Sequence, residues 1–510
     1  MSSVLYADVI IKNANIETVT RGRASALAVR DGVIVAVGRP DEVLPFAGPK
    51  TQIEDLHGKT VLPGFVDAHM HLVSVGLRQS GYYLDLGEAR SLDEALERVR
   101  ERVKKTEEAH WVLGRGWDES RWPERRYITK ADLDRIAPEH PVVLIRVCGH
   151  ILCANTRALQ KISVTPRAGE FDEALGLLRE ETAWHFLQKL QPSDGQLQAA
   201  ILAGVKLAHR LGVTAIHDIA KPEHLRAYAT LHQAQKLQLR VRLNIEVQHL
   251  EHLIALGLRS GFGDDTLKLG AIKFFADGSI GARNAALHRS YRDADGVGKL
   301  NYEQSDLNRL VQRAHDHGFQ VMIHAIGDRA IDAALEALAY AGATPDRRHR
   351  IEHVELVTPQ QLERMRELGI IASMQPNFVQ WSGSGELYET RLGPERDAQI
   401  DPHRKVLESG VKLAFGSDGM PFGPLYGIHC VVHAPHPVQR VSVEEALRAY
   451  TLDAAYAGFE ERSWGSLEVG KRADFVVLSE DPTDTKAISE IRVERTYLEG
   501  RCVYREEGRS

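Results

Sequence analysis

The stretch Phe65-Val66-Asp67-Ala68-His69-Met70-His71 decides how the rest of the chain is read. It opens as an apolar strand and ends in two imidazoles. Residues i and i+2 of a strand face the same side, so His69 and His71 project together. Imidazole nitrogen suits zinc and its neighbours in the first transition series. One His-x-His pair is weak on its own, but the pattern recurs. His324 closes Gln320-Val321-Met322-Ile323-His324, His353 closes Arg350-Ile351-Glu352-His353, and Asp418 follows Leu413-Ala414-Phe415-Gly416-Ser417. Each is a metal-type residue at the carboxyl end of a candidate strand, the face where barrel enzymes keep their active sites.

Working outward, strand-like and helix-like segments alternate, the grammar of βαβ units around a parallel sheet. Candidate strands are Thr60 to Val66, Val213 to His217, Val241 to Val247, and Leu269 to Phe275. The series continues with Phe319 to His324, Arg350 to His353, Ile370 to Met374, and Lys412 to Gly416. Eight strands predict an α/β chain closed into a (β/α)8 TIM barrel. The first two are separated by about 145 residues, far beyond an ordinary βα connection. An insertion subdomain is therefore expected at about 80–200, helical at Leu92 to Lys105 and again at Phe171 to Leu190.

Both chain ends are expected to be all-β. Asp31-Gly32 lies between Ala26-Leu27-Ala28-Val29 and Val33-Ile34-Val35-Ala36-Val37, a hairpin signal because both turn residues must tolerate positive φ. The last residues repeat it, with Glu499-Gly500 between Val493 to Leu498 and Cys502-Val503-Tyr504. Neither end can bury a core alone, so 1–60 and 465–510 are expected to form one composite β-sandwich, leaving 61–464 for the barrel.

Composition sets limits. The chain has 510 residues, 43% hydrophobic and 26% charged, with a formal net charge of −6. That is an ordinary soluble balance. It lacks the basic excess a nucleic-acid binder uses to displace counterions, and no apolar run approaches the roughly 18 residues of a membrane span. Met1 to Asp8 shows neither a basic lead nor an apolar core, so no secretory signal is expected. Four cysteines are too few for a disulfide scaffold, which fits a cytoplasmic protein. A homodimer is the default oligomer.

Lys273 stands inside Leu269-Gly270-Ala271-Ile272-Lys273-Phe274-Phe275-Ala276, where a charged ammonium is costly without a partner. Burial beside cations favours the neutral amine, and a neutral amine takes up carbon dioxide to give an anionic carbamate. Pairing with Asp277 is the structural alternative, and both readings stand.

Taken together, these residues resemble the ligand set of the amidohydrolase superfamily, and specifically its amidohydrolase family 3 (YtcJ-like) branch. The resemblance rests on Leu62-Pro63-Gly64 through His71, Gly149-His150 to Leu159, and Lys273-Phe274-Phe275-Ala276-Asp277-Gly278-Ser279. It extends to Ile323-His324-Ala325-Ile326-Gly327-Asp328, Gln375-Pro376 and Gly465 to Asp474. It implies a hydrolase of a small molecule's carbon–nitrogen bond with two divalent metal ions, zinc being expected. His69, His71 and Asp418 would bind one metal, and His324 and His353 the other. Lys273, N6-carboxylated, would bridge them. The nucleophile would be a metal-held hydroxide, with Asp418 acting as general base and then general acid. If Lys273 is not carboxylated, a mononuclear site on His69, His71, His324 and Asp418 follows.

Related deaminases carry a glutamate soon after the fifth-strand histidine. Here Ala325-Ile326-Gly327-Asp328-Arg329-Ala330 follows His324, which favours a linear amide, N-acyl or N-formyl, over deamination. Cyclic-amide opening, ester or lactone cleavage, and a non-catalytic regulatory protein on the same fold remain as alternatives.

The same resemblance marks Gly116-Trp117-Asp118-Glu119 and His150. His150 is a catalytic candidate, able to donate a hydrogen bond to the substrate carbonyl, or else a structural histidine. Trp117, Arg283 and Gln375 are candidate substrate contacts, with the insertion's own core as the other reading of Trp117. Cys148 and Cys153 read as buried thiols, and His217-Asp218 as support for the ligands. His429, His433 and His436 read as a loop near Pro435 and Pro437.

Overall fold

The computed structural model describes residues 6–507, so most of the N-terminal stretch examined for a secretory signal lies outside them. The chain divides into two compact units. One runs up to Leu72 and resumes at Val205, and the other is Val73–Gly204.

In the first unit, eight strands form one sheet in sequence order. They are β1 (Phe65–Met70), β2 (Val213–Ala220), β3 (Arg240–Glu246), β4 (Leu267–Phe275), β5 (Val321–Ala325), β6 (Arg350–His353), β7 (Ile371–Met374) and β8 (Leu413–Phe415). Neighbours pair in parallel from β1 through β8. Every residue of β1, β2, β6, β7 and β8 is buried, as expected of strands covered on both faces. This is the α/β TIM barrel expected from the spacing of the apolar runs.

Side chains and backbone close the seam between β8 and β1. Asp67 Oδ1 accepts the N–H groups of His69 (3.1 Å) and Ser417 (3.0 Å), and Asp67 Oδ2 accepts the Ser417 hydroxyl at 2.5 Å. The Asp418 N–H donates to the His69 carbonyl at 2.8 Å. Gly416 permits this approach, because a Cβ there would lie 2.8 Å from the His69 Cβ. The seam thereby holds His69 and Asp418, far apart in sequence, side by side.

The first strand starts later than its sequence suggests. Thr60–Pro63 pairs antiparallel with Phe475–Leu478 and parallel with Asn15–Ile16, so it belongs to a six-stranded sheet outside the barrel. Pairing switches at Phe65, whose N–H donates to the Gly212 carbonyl.

The six-stranded sheet draws on both chain ends, and a four-stranded one, Val33–Gly38, Ala26–Arg30, Val9–Lys12 and Gln52–Asp55, on the first alone. Ile11, Ile16, Leu27, Val29, Phe475 and Tyr497 share one buried cluster. Both hairpin turns have the expected conformation, with φ of 50° and 76° at Asp31-Gly32 and 51° and 71° at Glu499-Gly500.

The second unit corrects the helical expectation. A six-stranded sheet runs through it in the order Phe171–Asp172, Leu177–Arg179, Ile151–Ala154, Val142–Arg146, Val112–Trp117 and Leu84–Asp85. Helix Leu92–Lys104 is present, capped by the Ser91 side chain. Phe171 to Leu190, however, is a short hairpin followed by helix Glu180–Gln188. The hairpin's Glu, Ala and Leu residues favour helix locally. Pairing of Leu177 and Leu178 with Cys153 and Leu152 overrides that preference, since strand formation depends on its neighbours.

Candidate metal centre

Three donor side chains converge where β1 and β8 end. His71 Nε2 lies 3.2 Å and His69 Nε2 3.9 Å from Asp418 Oδ1, and one donor atom from each residue falls within 4.8 Å of the others. The His353 ring is 4.9 Å from that of His69, and the His324 ring 4.4 Å from His353. Burial, then the charges of neighbouring cationic groups, holds His69 and His353 well below the usual histidine range. Both are therefore neutral, the form in which imidazole binds a metal.

The backbone at two of these positions is unusual. Glu352 and His353 are consecutive and would face opposite sides in an extended strand. Left-handed conformations at His353 (φ 74°) and Val354 (φ 55°) break the alternation, so both side chains reach His69. A β-branched residue at positive φ is costly, and such strain concentrates at functional sites. Asp418 is also left-handed, at φ 55°.

Lys273 is fully buried, and its Nζ has no protein hydrogen-bond partner. The Phe275 ring centroid lies 4.8 Å from its ammonium nitrogen. Burial brings the amine down to about 8, outweighing the carboxylates of Glu352 and Asp418. Asp277, the alternative partner, is committed elsewhere, accepting the N–H groups of Ala286, Ile326 and Gly327. The donor set suits a divalent metal: two imidazoles and a carboxylate within reach of one point, with Lys273 Nζ and His353 Nδ1 as buried polar atoms lacking a protein partner. His324 Nε2 meets the Gly278 carbonyl at 3.0 Å.

Two residues that the sequence reading does not single out stand beside this group. Arg350 and Glu352 are both buried and form an ion pair at 2.6 Å. A signal for them exists: a charged pair within a short buried strand is as unusual as Lys273 in its own.

The other candidates lie as follows. Gln375 is buried, and neither side-chain polar atom has a protein partner. Arg283 is engaged by Asp293 through two hydrogen bonds, at 3.0 and 2.7 Å, so its guanidinium is not reserved for a substrate carboxylate. Trp117 is buried in the second unit's core, with its indole N–H on the Leu144 carbonyl and its ring stacked on Trp122. That geometry matches the core reading. His150 is partly exposed and bonds Glu180 at 2.9 Å. Cys148 is exposed and Cys153 buried, both as free thiols, so only Cys153 fits the buried reading. His429 lies on helix Pro424–Val432 rather than in a loop, with its ring 4.6 Å from His433.

His217 meets Arg350 at 2.9 Å. Asp218 accepts the Leu72 N–H at 2.6 Å and the Tyr228 hydroxyl at 2.8 Å. Burial pushes its carboxyl up to about 7, so between the ordinary value and 7 the native state holds a proton the unfolded chain has released. The stability tied to that proton is complete below about pH 4 and is lost as pH rises through 7. Three pKa units correspond to about 4 kcal/mol. Asp218→Asn leaves an amide oxygen to accept the Leu72 N–H and an amide N–H for the Tyr228 hydroxyl, which turns to accept it, without a charge to bury. Thermal melts between pH 5 and 8 should show the variant overtaking the parent towards pH 8, and parallel curves would refute the assignment.

A (β/α)8 barrel with imidazole and carboxylate donors gathered at the carboxyl ends of its strands defines a metal-dependent hydrolase class. Residues 52–504 match the amidohydrolase family, and the chain belongs to that family. It is 30% identical to YtcJ of Bacillus subtilis, over 94% of this chain and 96% of that one. It is also 30% identical to the N-substituted formamide deformylase of Arthrobacter pascens, over 98% and 99%. Among solved structures, an uncharacterized metal-dependent hydrolase from Pyrococcus furiosus superimposes with a TM-score of 0.83 at 31% identity, covering 93% of this chain and 99% of that one. The protein is a hydrolase acting on carbon–nitrogen bonds of small molecules. No helix among the described residues is long and apolar enough to cross a membrane.

Proposed function

We propose that the protein hydrolyses a linear amide of an N-formyl or N-acyl compound at a centre holding two zinc ions. In this reading His69, His71 and Asp418 would hold one ion, His324 and His353 would hold the other, and Lys273 would contribute as its N6-carboxylate. When bound, the metal supplies Lewis acidity, which lowers the pKa of water to about 7 and polarises a carbonyl oxygen. Asp418 takes the proton from the attacking water and delivers it to the leaving nitrogen. Gln375 offers a buried amide, free of protein partners, to orient the substrate carbonyl.

The observation that carries the choice of bond lies after β5. Asp328, the one residue there able to stand in for a deaminase glutamate, accepts the His288 N–H at 2.9 Å, and its neighbour Arg329's N–H at 2.9 Å. Both bonds fall on Oδ1, which is thus given to chain positioning, and this argues against ring-nitrogen protonation. Likeness to the formamide deformylase along nearly the whole chain supports the same reading.

The test is amine release from N-formyl and N-acetyl derivatives of one amine, together with metal content by elemental analysis. Two zinc equivalents and release from the formyl or acetyl compound are expected, with loss of both on chelation and recovery on adding zinc. Metal-replete protein that leaves every linear amide intact while opening a cyclic amide or lactone would replace this reading.

A further inference from the structure

Resting on the ligand set just proposed, we infer that Glu352 is a positioning residue, which with Arg350 fixes the tautomer and ring plane of His69 for metal binding. Glu352 Oε2 lies 2.5 Å from His69 Nδ1. The same carboxylate receives two bonds from Arg350, Nε to Oε1 at 2.6 Å and Nη2 to Oε2 at 2.9 Å. A carboxylate gripped by a guanidinium is an acceptor only. His69 must therefore carry its proton on Nδ1, leaving the Nε2 lone pair on the side of Asp418 and His71. A metal-binding histidine held through its other nitrogen by a carboxylate has its orientation and basicity set by that bond.

Arg350 is itself fixed from several strands. Its Nη2 donates to the Ser373 hydroxyl at 2.7 Å on β7 and to the Ala68 carbonyl on β1, and Nη1 meets His217 Nδ1 on β2. Glu352 is fully buried and His69 nearly so, so bulk water cannot substitute for a lost partner. The linkage spans four strands and reaches two imidazoles, His217 and the proposed ligand His69. A merely structural ion pair would not need the His69 endpoint.

The full-length chain is stripped of metal and titrated with Co2+ against a chelator, while the visible spectrum and the metal-free melting temperature are recorded. Glu352→Gln should weaken Co2+ binding by about 10–100-fold and shift the spectrum. Glu352→Asp keeps the charge facing Arg350 but withdraws the carboxylate from His69, and should do the same. It carries the test if Glu352→Gln fails to fold. His69→Ala separates the two levels of the argument. If His69→Ala loses the metal while a folded Glu352 variant keeps wild-type affinity and spectrum, the positioning role is overturned and the ligand set survives. If His69→Ala binds like wild type, or wild type binds no Co2+, the ligand set fails and this role with it.

Discussion

Lys273→Met should purify with close to one metal ion per chain where the parent carries two, and should lose about 10²–10³-fold in kcat/KM, the scale seen when one electrostatic stabiliser of a transition state is removed. Methionine is the informative replacement because it fills most of the lysine's volume. Alanine would open a cavity and confuse a metal effect with a packing loss. The amine nitrogen has no hydrogen-bond partner, so with both proteins stripped of metal the variant forfeits no such bond and should melt at or above the parent temperature. A structural lysine, held by its charge against Glu352 and Asp418, would behave oppositely: the variant would destabilise with metal content unchanged. Loading should also depend on bicarbonate in the parent and not in the variant. Elemental analysis with and without bicarbonate reads both expectations. One equivalent in parent and variant alike would return the mononuclear site on His69, His71, His324 and Asp418.

Much of the barrel is legible in the sequence because parallel strands buried on both faces are nearly uninterrupted apolar runs. Ile371–Met374 and Leu413–Phe415 fall within a residue of their expected bounds. Less legible are segments whose structure depends on a distant partner. Thr60–Pro63 is as apolar as a barrel strand, and only its pairing with Phe475–Leu478 assigns it elsewhere. The sheet in Val73–Gly204 is hidden for the same reason. Val142–Arg146 and Ile151–Ala154 flank Cys148 and His150, whose chemistry draws attention away from the short strands on either side.

Chemistry at strand ends can be read because His69, His71, His324, His353 and Asp418 are metal-type residues that close candidate strands. What cannot be read is commitment. Arg283 and Trp117 have attractive side chains, yet Asp293 and the Leu144 carbonyl hold them. Partners distant in sequence leave no local trace. Glu352 shows the reverse error. In the sequence it stands with Arg350 as a charged pair in a short strand, and what that pair holds emerges only when His69, 283 residues away, arrives at 2.5 Å.

Asp418→Asn should cost the most in turnover, about 10²–10⁴-fold in kcat, the range for removing a general acid–base group. Substitution here is unusually clean. Asp418 adopts φ 55°, a left-handed conformation that asparagine shares readily and alanine does not. Its N–H bond to the His69 carbonyl belongs to the backbone and survives, so the seam between β8 and β1 should stay closed. The replacement presents an amide of the same shape to His71 and His69, unable to accept a proton from water at neutral pH. Asp418→Ala should lose comparable activity and also melt at a lower temperature, because it adds strain that asparagine avoids. Kinetics and thermal melts on the two variants separate these effects. If Asp418→Asn retains wild-type kcat with its metal in place, the proton passes through another group, and the role given to Asp418 is withdrawn.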